Sequence, residues 1–272
     1  MPFTVALLIA LASRDNLDLL RQKSAVLAES PSARAVVAAV RRREDAVMRE
    51  TLEAFLATKE WSEVLQHGGQ LALFGDRAVQ AVAEALRRKD LDERTVRDCY
   101  QWLLQRFPEH RLTIRIAIGG CSRTDVAGIR YECVFFLGQH RVYGAHRALR
   151  RVLEDHKLDE MIRYTAAKSL AELGEPDAIR TLYEAAGSHS YMHRYVAHIG
   201  FLAIAGKSPD DFGGYQYGEG TAVSGGIEYQ MAIDGITLAE RRAGRYRALA
   251  DFCAWLKAER PHLYKHLTAG VF

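Results

Sequence analysis

The sequence has few cysteines, and those few are dispersed. Four occur in 272 residues, at positions 99, 121, 133 and 253, and none forms a CxxC pair. This distribution excludes a disulfide framework and is typical of a protein from a reducing compartment. We therefore expect a cytoplasmic protein whose cysteines are small core or surface residues.

The sequence also lacks an apolar run long enough to cross a membrane. The run at the N-terminus, residues 3–12, holds ten mostly apolar residues, whereas a spanning helix needs about 20. We interpret it as part of a buried first helix and expect no membrane partner. A targeting signal is the alternative, because Ala10-Leu11-Ala12 resembles a cleavage site, although no Lys or Arg precedes the run.

No intact catalytic or cofactor motif occurs in the chain. The stretch 218–223 begins like GxGxxG but has Val223 in place of the last glycine, and no P-loop is present. Ser224 lacks the GxSxG setting of a hydrolase nucleophile. Cys121 follows two glycines, but thiol catalysis needs a base and an orienting group that the sequence does not identify. We predict no catalytic residue and no cofactor.

Three histidines, His189, His193 and His198, fall near one predicted helix start. Two histidines four residues apart can hold zinc, but the HExxH pattern is absent. Asp210 or Asp211 would add a carboxylate if the following loop folded back. We predict that these histidines make surface and inter-repeat hydrogen bonds and hold no metal.

The strongest pattern present is helical. Residues 158–206 predict helix, turn, helix, turn, helix, with apolar residues at three-to-four spacing. Gly174 and Gly187 end the first two helices, and the third runs from about Tyr191 to Ala205. Similar Arg-Tyr pairs, 33 and 31 residues apart, mark a repeat of one helix pair: Arg130-Tyr131, Arg163-Tyr164 and Arg194-Tyr195. Such pairs must stack to bury their apolar stripes.

The segment RYTAAKSLAELGEPDAIRTL resembles a HEAT-like repeat, and the resemblance extends over residues 127–206. It implies an all-α solenoid of stacked antiparallel helix pairs that binds through its repeat surface. It implies no catalytic residue, because HEAT-like repeats have none as a class. We expect one solenoid domain over 1–272, with N-terminal helices in 1–126, repeats in 127–206, an insertion in 207–236 and C-terminal helices in 237–272.

Local signals predict helix boundaries before the repeats. Gly68-Gly69 predicts a break, Asp76 predicts an N-cap, and Asp90 with Glu93 fits a capping box. Residues 112–118 alternate like a strand, but their helical neighbourhood favours a helix, which we expect.

Residues 207–236 break the helical pattern and contain seven glycines. The residues from Ile227 to Ile233 alternate between apolar and other side chains, which is typical of a strand. We expect a small β-hairpin or an extended Gly-rich loop, a kind of segment that is often functional.

The predicted function is non-enzymatic protein binding, as an adaptor, a scaffold or an inhibitor or immunity-type partner. The Arg-Tyr pairs have a structural interpretation, in which Arg pairs with a carboxylate of the next repeat and Tyr buries its ring. They also have a binding interpretation. The proposed contact residues are Arg130, Tyr131, Arg163, Tyr164, His193, Arg194, Tyr195, Phe212, Tyr215, Tyr217 and Tyr229.

Two other functions remain open. The first is nucleic-acid binding, in which the protein would resemble the HEAT-like alkylpurine DNA glycosylases. The net charge of +3 is weak support for it, but stacked helices would align basic residues at 87–89, 141–151 and 241–247. The second is an enzyme whose site is formed by the 207–236 loop and the nearby histidines.

Overall fold

The computed structural model describes residues 31–126, 128–188, 190–212 and 238–269. Within these ranges the chain forms twelve α-helices and no strand. The chain divides into two compact units, unit 1 up to Thr113 and unit 2 from Ile114. The expectation of a single domain stays a prediction, and each unit is described here by itself.

Unit 1 contains four helices, and a fifth runs across the unit boundary. They are α1 (Pro31–Ala57), α2 (Trp61–Ala72), α3 (Asp76–Ala85), α4 (Glu93–Arg106) and α5 (Arg111–Gly120). Helix α5 confirms the helix expected for residues 112–118. The buried residues of α3 and α4 recur at three-to-four spacing, as in Val79, Val82 and Ala83, so these helices turn one apolar face inward.

Unit 2 contains seven further helices. They are α6 (Ile129–Gln139), α7 (His146–Glu154), α8 (Glu160–Glu172), α9 (Ala178–Gly187), α10 (Tyr191–Ala205), α11 (Leu238–Glu259) and α12 (Pro261–Thr268). Short 3-10 turns span Tyr143–Ala145 and Pro209–Phe212. The Arg-Tyr pairs open α6, α8 and α10, which are the first helices of successive pairs. The predicted repeat of helix pairs is confirmed.

Helix α8 is the centre of unit 2, because it packs against α6, α7, α9 and α10. Eight consecutive residues from Tyr164 to Ala171 are buried, so α8 has no exposed face over two turns. Its small side chains allow neighbours to approach closely. The Ser169 hydroxyl donates to the Val134 carbonyl of α6 at 2.8 Å. The first helices therefore stack directly on one another.

The turn after α8 forms as the sequence predicts. Gly174 adopts a positive φ of 83°, a conformation that favours glycine. Its amide donates to Ala171 at 2.9 Å, and the amide of Glu175 donates to Leu170 at 2.9 Å. This pair of bonds is the Schellman arrangement that satisfies the last carbonyls of a helix.

Three predictions in unit 1 were wrong. Gly68-Gly69 does not break the chain, because α2 runs through both residues. Asp76 is the first residue of α3, and Gly75 is the N-cap. The cap of α4 is Asp92, which accepts from the Thr95 amide at 2.8 Å, whereas Asp90 pairs with Arg88. The capping signals placed the N-caps of α3 and α4 one and two residues off, whereas Gly-Gly predicted a break that does not exist.

Several predictions lie outside the described residues. They are the first helix in 1–30, the hairpin or loop in 213–236, and the placements of His189, Tyr215, Tyr217 and Tyr229. In the part of the chain that the structure describes, no helix combines the length and apolar character needed to span a membrane.

Candidate binding surfaces

The three repeated arginines bind backbone carbonyls near the ends of preceding helices. Arg130 Nη2 donates to the Ser122 carbonyl at 3.4 Å, just after α5. Arg163 Nε donates to Leu153 in the last turn of α7 at 3.2 Å. The third bond joins Arg194 Nη1 to the C-cap carbonyl of α9, Ser188, at 3.1 Å. A cation at a helix C-terminus also complements the helix dipole, so these bonds fix each turn between helices.

The three repeated tyrosines differ in exposure. Tyr131 is half-buried and Tyr195 is exposed, whereas Tyr164 is buried. The Tyr164 ring meets His193 edge-on, with ring centroids 4.8 Å apart. Burial, together with the charge of nearby Glu160, raises the pKa of the Tyr164 phenol. The middle tyrosine therefore packs between repeats, and the outer two face the surface at least in part.

Aromatic side chains pair along α6 and α10. Tyr131 stacks with Phe135 at 6.3 Å on α6, and Tyr191 stacks with Tyr195 at 6.2 Å on α10. Both pairs have the i, i+4 spacing that places side chains on one helical face. Met192 is exposed beside the second pair. We name Tyr131, Phe135, Tyr191, Met192 and Tyr195 the first-helix face.

Lys168 of the central helix holds Phe135 in place. Its ammonium nitrogen lies 4.3 Å from the centroid of the Phe135 ring and 2.8 Å from Glu172 Oε1. The Lys168 side chain is almost fully buried, so this cation–π contact forms largely away from water, where it is strongest. Phe135, Tyr191 and Met192 of this face were not predicted as contact residues. The sequence signal that could have identified them is a large apolar side chain outside the buried stripe of its helix.

Of the three histidines near the start of α10, the structure describes His193 and His198, and these two have separate partners. His193 Nδ1 lies 3.0 Å from Ser188 Oγ and 3.7 Å from Glu160 Oε2. His198 Nδ1 lies 2.9 Å from Ser208 Oγ and 3.1 Å from Asp210 Oδ2. In each case the Nδ1 atom faces both of these partners. Among the described residues, no three metal-ligating side chains come together.

Phe212 closes the turn after α10. Its ring lies 6.0 Å from both Phe252 and Trp255 of α11, and Lys207 Nζ lies 5.7 Å from its centroid. Phe212 therefore joins an aromatic cluster within unit 2 while remaining half-exposed.

Many of the basic residues are already paired. Arg88 bonds Glu53 and Asp90, and Arg150 bonds Glu175. Arg245 donates to the Ser188 carbonyl at 3.0 Å, the same oxygen that Arg194 uses. The predicted basic positions therefore contribute less free positive charge than their number indicates.

Comparison with known proteins identifies the repeats. Residues 123–198 match the family model for HEAT repeats, from the segment before α6 to the middle of α10. No curated protein and no solved structure matches the chain.

Proposed function

Because the chain is a HEAT-like repeat protein, we propose that it is a non-enzymatic protein-binding module whose contact surface is the first-helix face. The observation that carries this proposal is the exposure of large apolar side chains on stacked helices. Phe135, Met192 and Tyr195 are 37%, 46% and 42% exposed. Aromatic residues and methionine are enriched in the buried centres of protein interfaces.

The energetics of this surface favour a protein partner. Burying one large apolar side chain completely stabilises a contact by about 1.5–3 kcal/mol. Phe135 is held by the Lys168 contact at 4.3 Å, so ordering its ring on binding costs little entropy. The two stacked aromatic pairs are similarly constrained. A few such anchors carry most of the energy in typical interfaces.

The same proposal includes the segment 213–236, which follows Phe212 directly in the chain. Its tyrosines at 215, 217 and 229 are of the residue type that dominates interface energetics. An adaptor and an inhibitor-type partner would both use such a surface, and the identity of the captured protein distinguishes them.

Affinity capture from the native host tests the proposal. The native chain should retain one or a few proteins in stoichiometric amounts after nuclease treatment. A Phe135→Ser/Tyr195→Ser variant should lose them, and deletion of 213–226 should weaken their retention. A Tyr246→Ser variant, altered at an exposed tyrosine of α11, is the matched control and should retain them. Equal capture by the native chain and the double variant would contradict the proposal.

Nucleic-acid binding is the second candidate, and one observation favours it. Arg147 and Arg151 are exposed one turn apart on α7, and no ion pair joins either to another described residue. Exposed Tyr143 precedes them. Nucleic acid that co-purifies in place of a protein, with an affinity that falls steeply as salt rises, would support this function.

A further inference from the structure

The repeated tyrosines mark the side on which each first helix meets the next one in the stack. In α6, the residues three and seven positions after Tyr131 are Val134 and Gly138. The Val134 carbonyl accepts from Ser169 of α8 at 2.8 Å, and a Cβ at Gly138 would lie 2.5 Å from Glu172 Oε2 of α8. The contacts advance in the same direction along both helices, so α6 and α8 run parallel. Steps of three and seven residues keep one side of a helix.

Helix α8 meets α10 on the same side. The Tyr164 ring contacts the His193 ring of α10, with centroids 4.8 Å apart. Ala167 and Ala171, three and seven positions after the tyrosine, are both buried, and Tyr164 itself is 7% exposed. A first helix that has a successor therefore buries this side almost completely.

Helix α10 has no successor in this stack within the described ranges, because α11 packs against the turn at 209–212, α9 and α12. Tyr195 is 42% exposed, and Leu202, seven positions later, is 41% exposed. Their counterparts in α8 are buried. No aspartate or glutamate occurs in α10, so its open side presents large apolar groups without a carboxylate. Such contiguous apolar surface marks an interaction site.

The stack itself indicates what fits this side. Both α8 and α10 meet the preceding first helix as helices, through Ser169 and His193 respectively. A further helix in the same geometry would continue an interface that already exists twice in unit 2. Leu202 is larger than its counterparts Gly138 and Ala171, so the arriving helix must place a small residue opposite it.

The chain's own sequence after α10 is poorly suited to supply that helix. The repeat spacings of 33 and 31 residues, counted from Arg194, would start the next first helix at 225–227. Residues 213–236 contain seven glycines, and each glycine disfavours a helix relative to alanine. This composition favours a helix from a different molecule.

We propose that Tyr195 and Leu202 receive an amphipathic helix of the partner protein, which stacks on α10 as the next first helix and runs parallel to it. This inference rests on the proposed function, because Tyr195 belongs to the first-helix face. It adds Leu202 to that face and specifies the form in which the partner binds, an apolar helix side with a small residue opposite Leu202.

Photo-crosslinking mapped to single residues tests the proposal. A photoreactive phenylalanine analogue replaces Tyr195 or Leu202 in the full chain, and the native host supplies the partner. The two positions lie about 10.5 Å apart along α10. On a parallel helix, the residues cross-linked from position 202 should therefore lie about seven residues C-terminal to those cross-linked from position 195. The analogue at Tyr246, exposed on α11, is the control and should not cross-link that segment.

The other outcomes separate this inference from the proposed function. A separation of about three residues would indicate an extended segment and overturn the proposal, as would the reverse order. Cross-links to a second copy, or to residues 213–237 of the same chain, would also overturn it. A partner cross-linked from position 135 but not from position 202 would overturn it and leave the proposed function standing. Capture of no protein at all would contradict both.

Variants at Leu202 test the same contact by affinity. Leu202→Glu should lower the affinity for the captured protein about tenfold, because a buried leucine is replaced by a charge. Leu202→Met should keep most of the affinity. Ala250→Glu, at an exposed position of α11, is the matched control and should keep all of it. An unchanged circular dichroism spectrum verifies the fold of each variant. Equal affinities of the native chain and Leu202→Glu would overturn the proposal.

Discussion

Gly138 in unit 2 and Gly68 in unit 1 lie inside helices and face side chains of neighbouring helices, with different results. A Cβ at Gly138 would lie 2.4 Å from Ser169 Oγ, so α6 closes directly against α8. A Cβ at Gly68 would meet the edge of Trp102, and there the clearance seats the indole, whose Nε1 donates to the Gly68 carbonyl at 2.7 Å. A glycine within a helix marks a close approach, and the facing side chain decides whether two helices meet directly or a large ring packs between them.

We expect the largest loss of stability from a substitution at the contact between α6 and α8. Gly138→Ala would place Cβ 2.4–2.5 Å from Ser169 Oγ, Ser169 Cβ and Glu172 Oε2, so α6 and α8 must separate. Overpacking of this kind costs about 1–3 kcal/mol, and we expect the upper end because Ser169 Cβ cannot rotate away. Urea unfolding measures the loss. Gly119→Ala in α5, where nothing lies within 4 Å, is the control and should not destabilise the protein.

Two adjacent glycines of α2 differ in what faces them. Gly68→Ala would press on Trp102, whereas a Cβ at Gly69 has nothing within 4 Å. We expect Gly68→Ala to destabilise unit 1 by about 1–2 kcal/mol and Gly69→Ala to stabilise it by about 0.5–1 kcal/mol. Unfolding followed by tryptophan fluorescence tests both. Stabilisation at both positions would show that helix propensity, and not the Trp102 contact, dominates.

The positions of these glycine contacts could not be predicted from the sequence. Gly68 and Trp102 are 34 residues apart, and Gly-Gly by itself predicts a break. By contrast, the third repeat helix was predicted from Tyr191 to Ala205, its observed bounds, because its apolar spacing and terminal Gly206 are local signals. Local patterns therefore predicted the repeats, and tertiary contacts determined where the glycines allow a close approach.

For the candidate contact residues too, local patterns identified the residues, whereas tertiary contacts determined their partners and exposure. The Arg-Tyr pairs were found because they recur, but the sequence could not show that each arginine reaches a carbonyl near a helix end. Nor could it show that Tyr164 is 7% exposed while Tyr195 remains accessible. Equivalent repeat positions differ in exposure because the middle repeat has a neighbour on both sides.

The hydrogen bonds that side chains make at helix ends also differ between the units. Their loss should destabilise the protein less than the glycine substitutions do. In unit 2, Arg163 Nε binds Leu153 at 3.2 Å, whereas in unit 1 the buried Thr95 hydroxyl donates to Leu56 at 3.4 Å. We expect Arg163→Gln to cost about 1 kcal/mol and Thr95→Val to cost less, because its bond is longer and uncharged. Urea midpoints rank the two variants. A larger loss of stability for Thr95→Val than for Arg163→Gln would contradict this ranking.

The smallest effect concerns one buried thiol in each unit. Burial raises the pKa of Cys99 and of Cys121 to about 12. The unfolded thiols ionise near pH 9, so between pH 9 and 12 the native state holds more protons and stability falls as pH rises. The expected loss at pH 9 is about 0.4 kcal/mol per thiol. Urea unfolding from pH 7.5 to 9 should show the fall, and Cys99→Ala should reduce its slope. An unchanged slope would show that Cys99 is not shielded from water.

Site-specific photo-crosslinking in the native host tests whether a protein binds through the first-helix face. A photoreactive phenylalanine analogue is placed at Phe135, at Tyr195 or at the exposed control position Tyr143. We expect a discrete cross-linked protein of the same mass from positions 135 and 195 and none from position 143. Cross-linking that is absent at 135 and 195, or equal at all three positions, would contradict it.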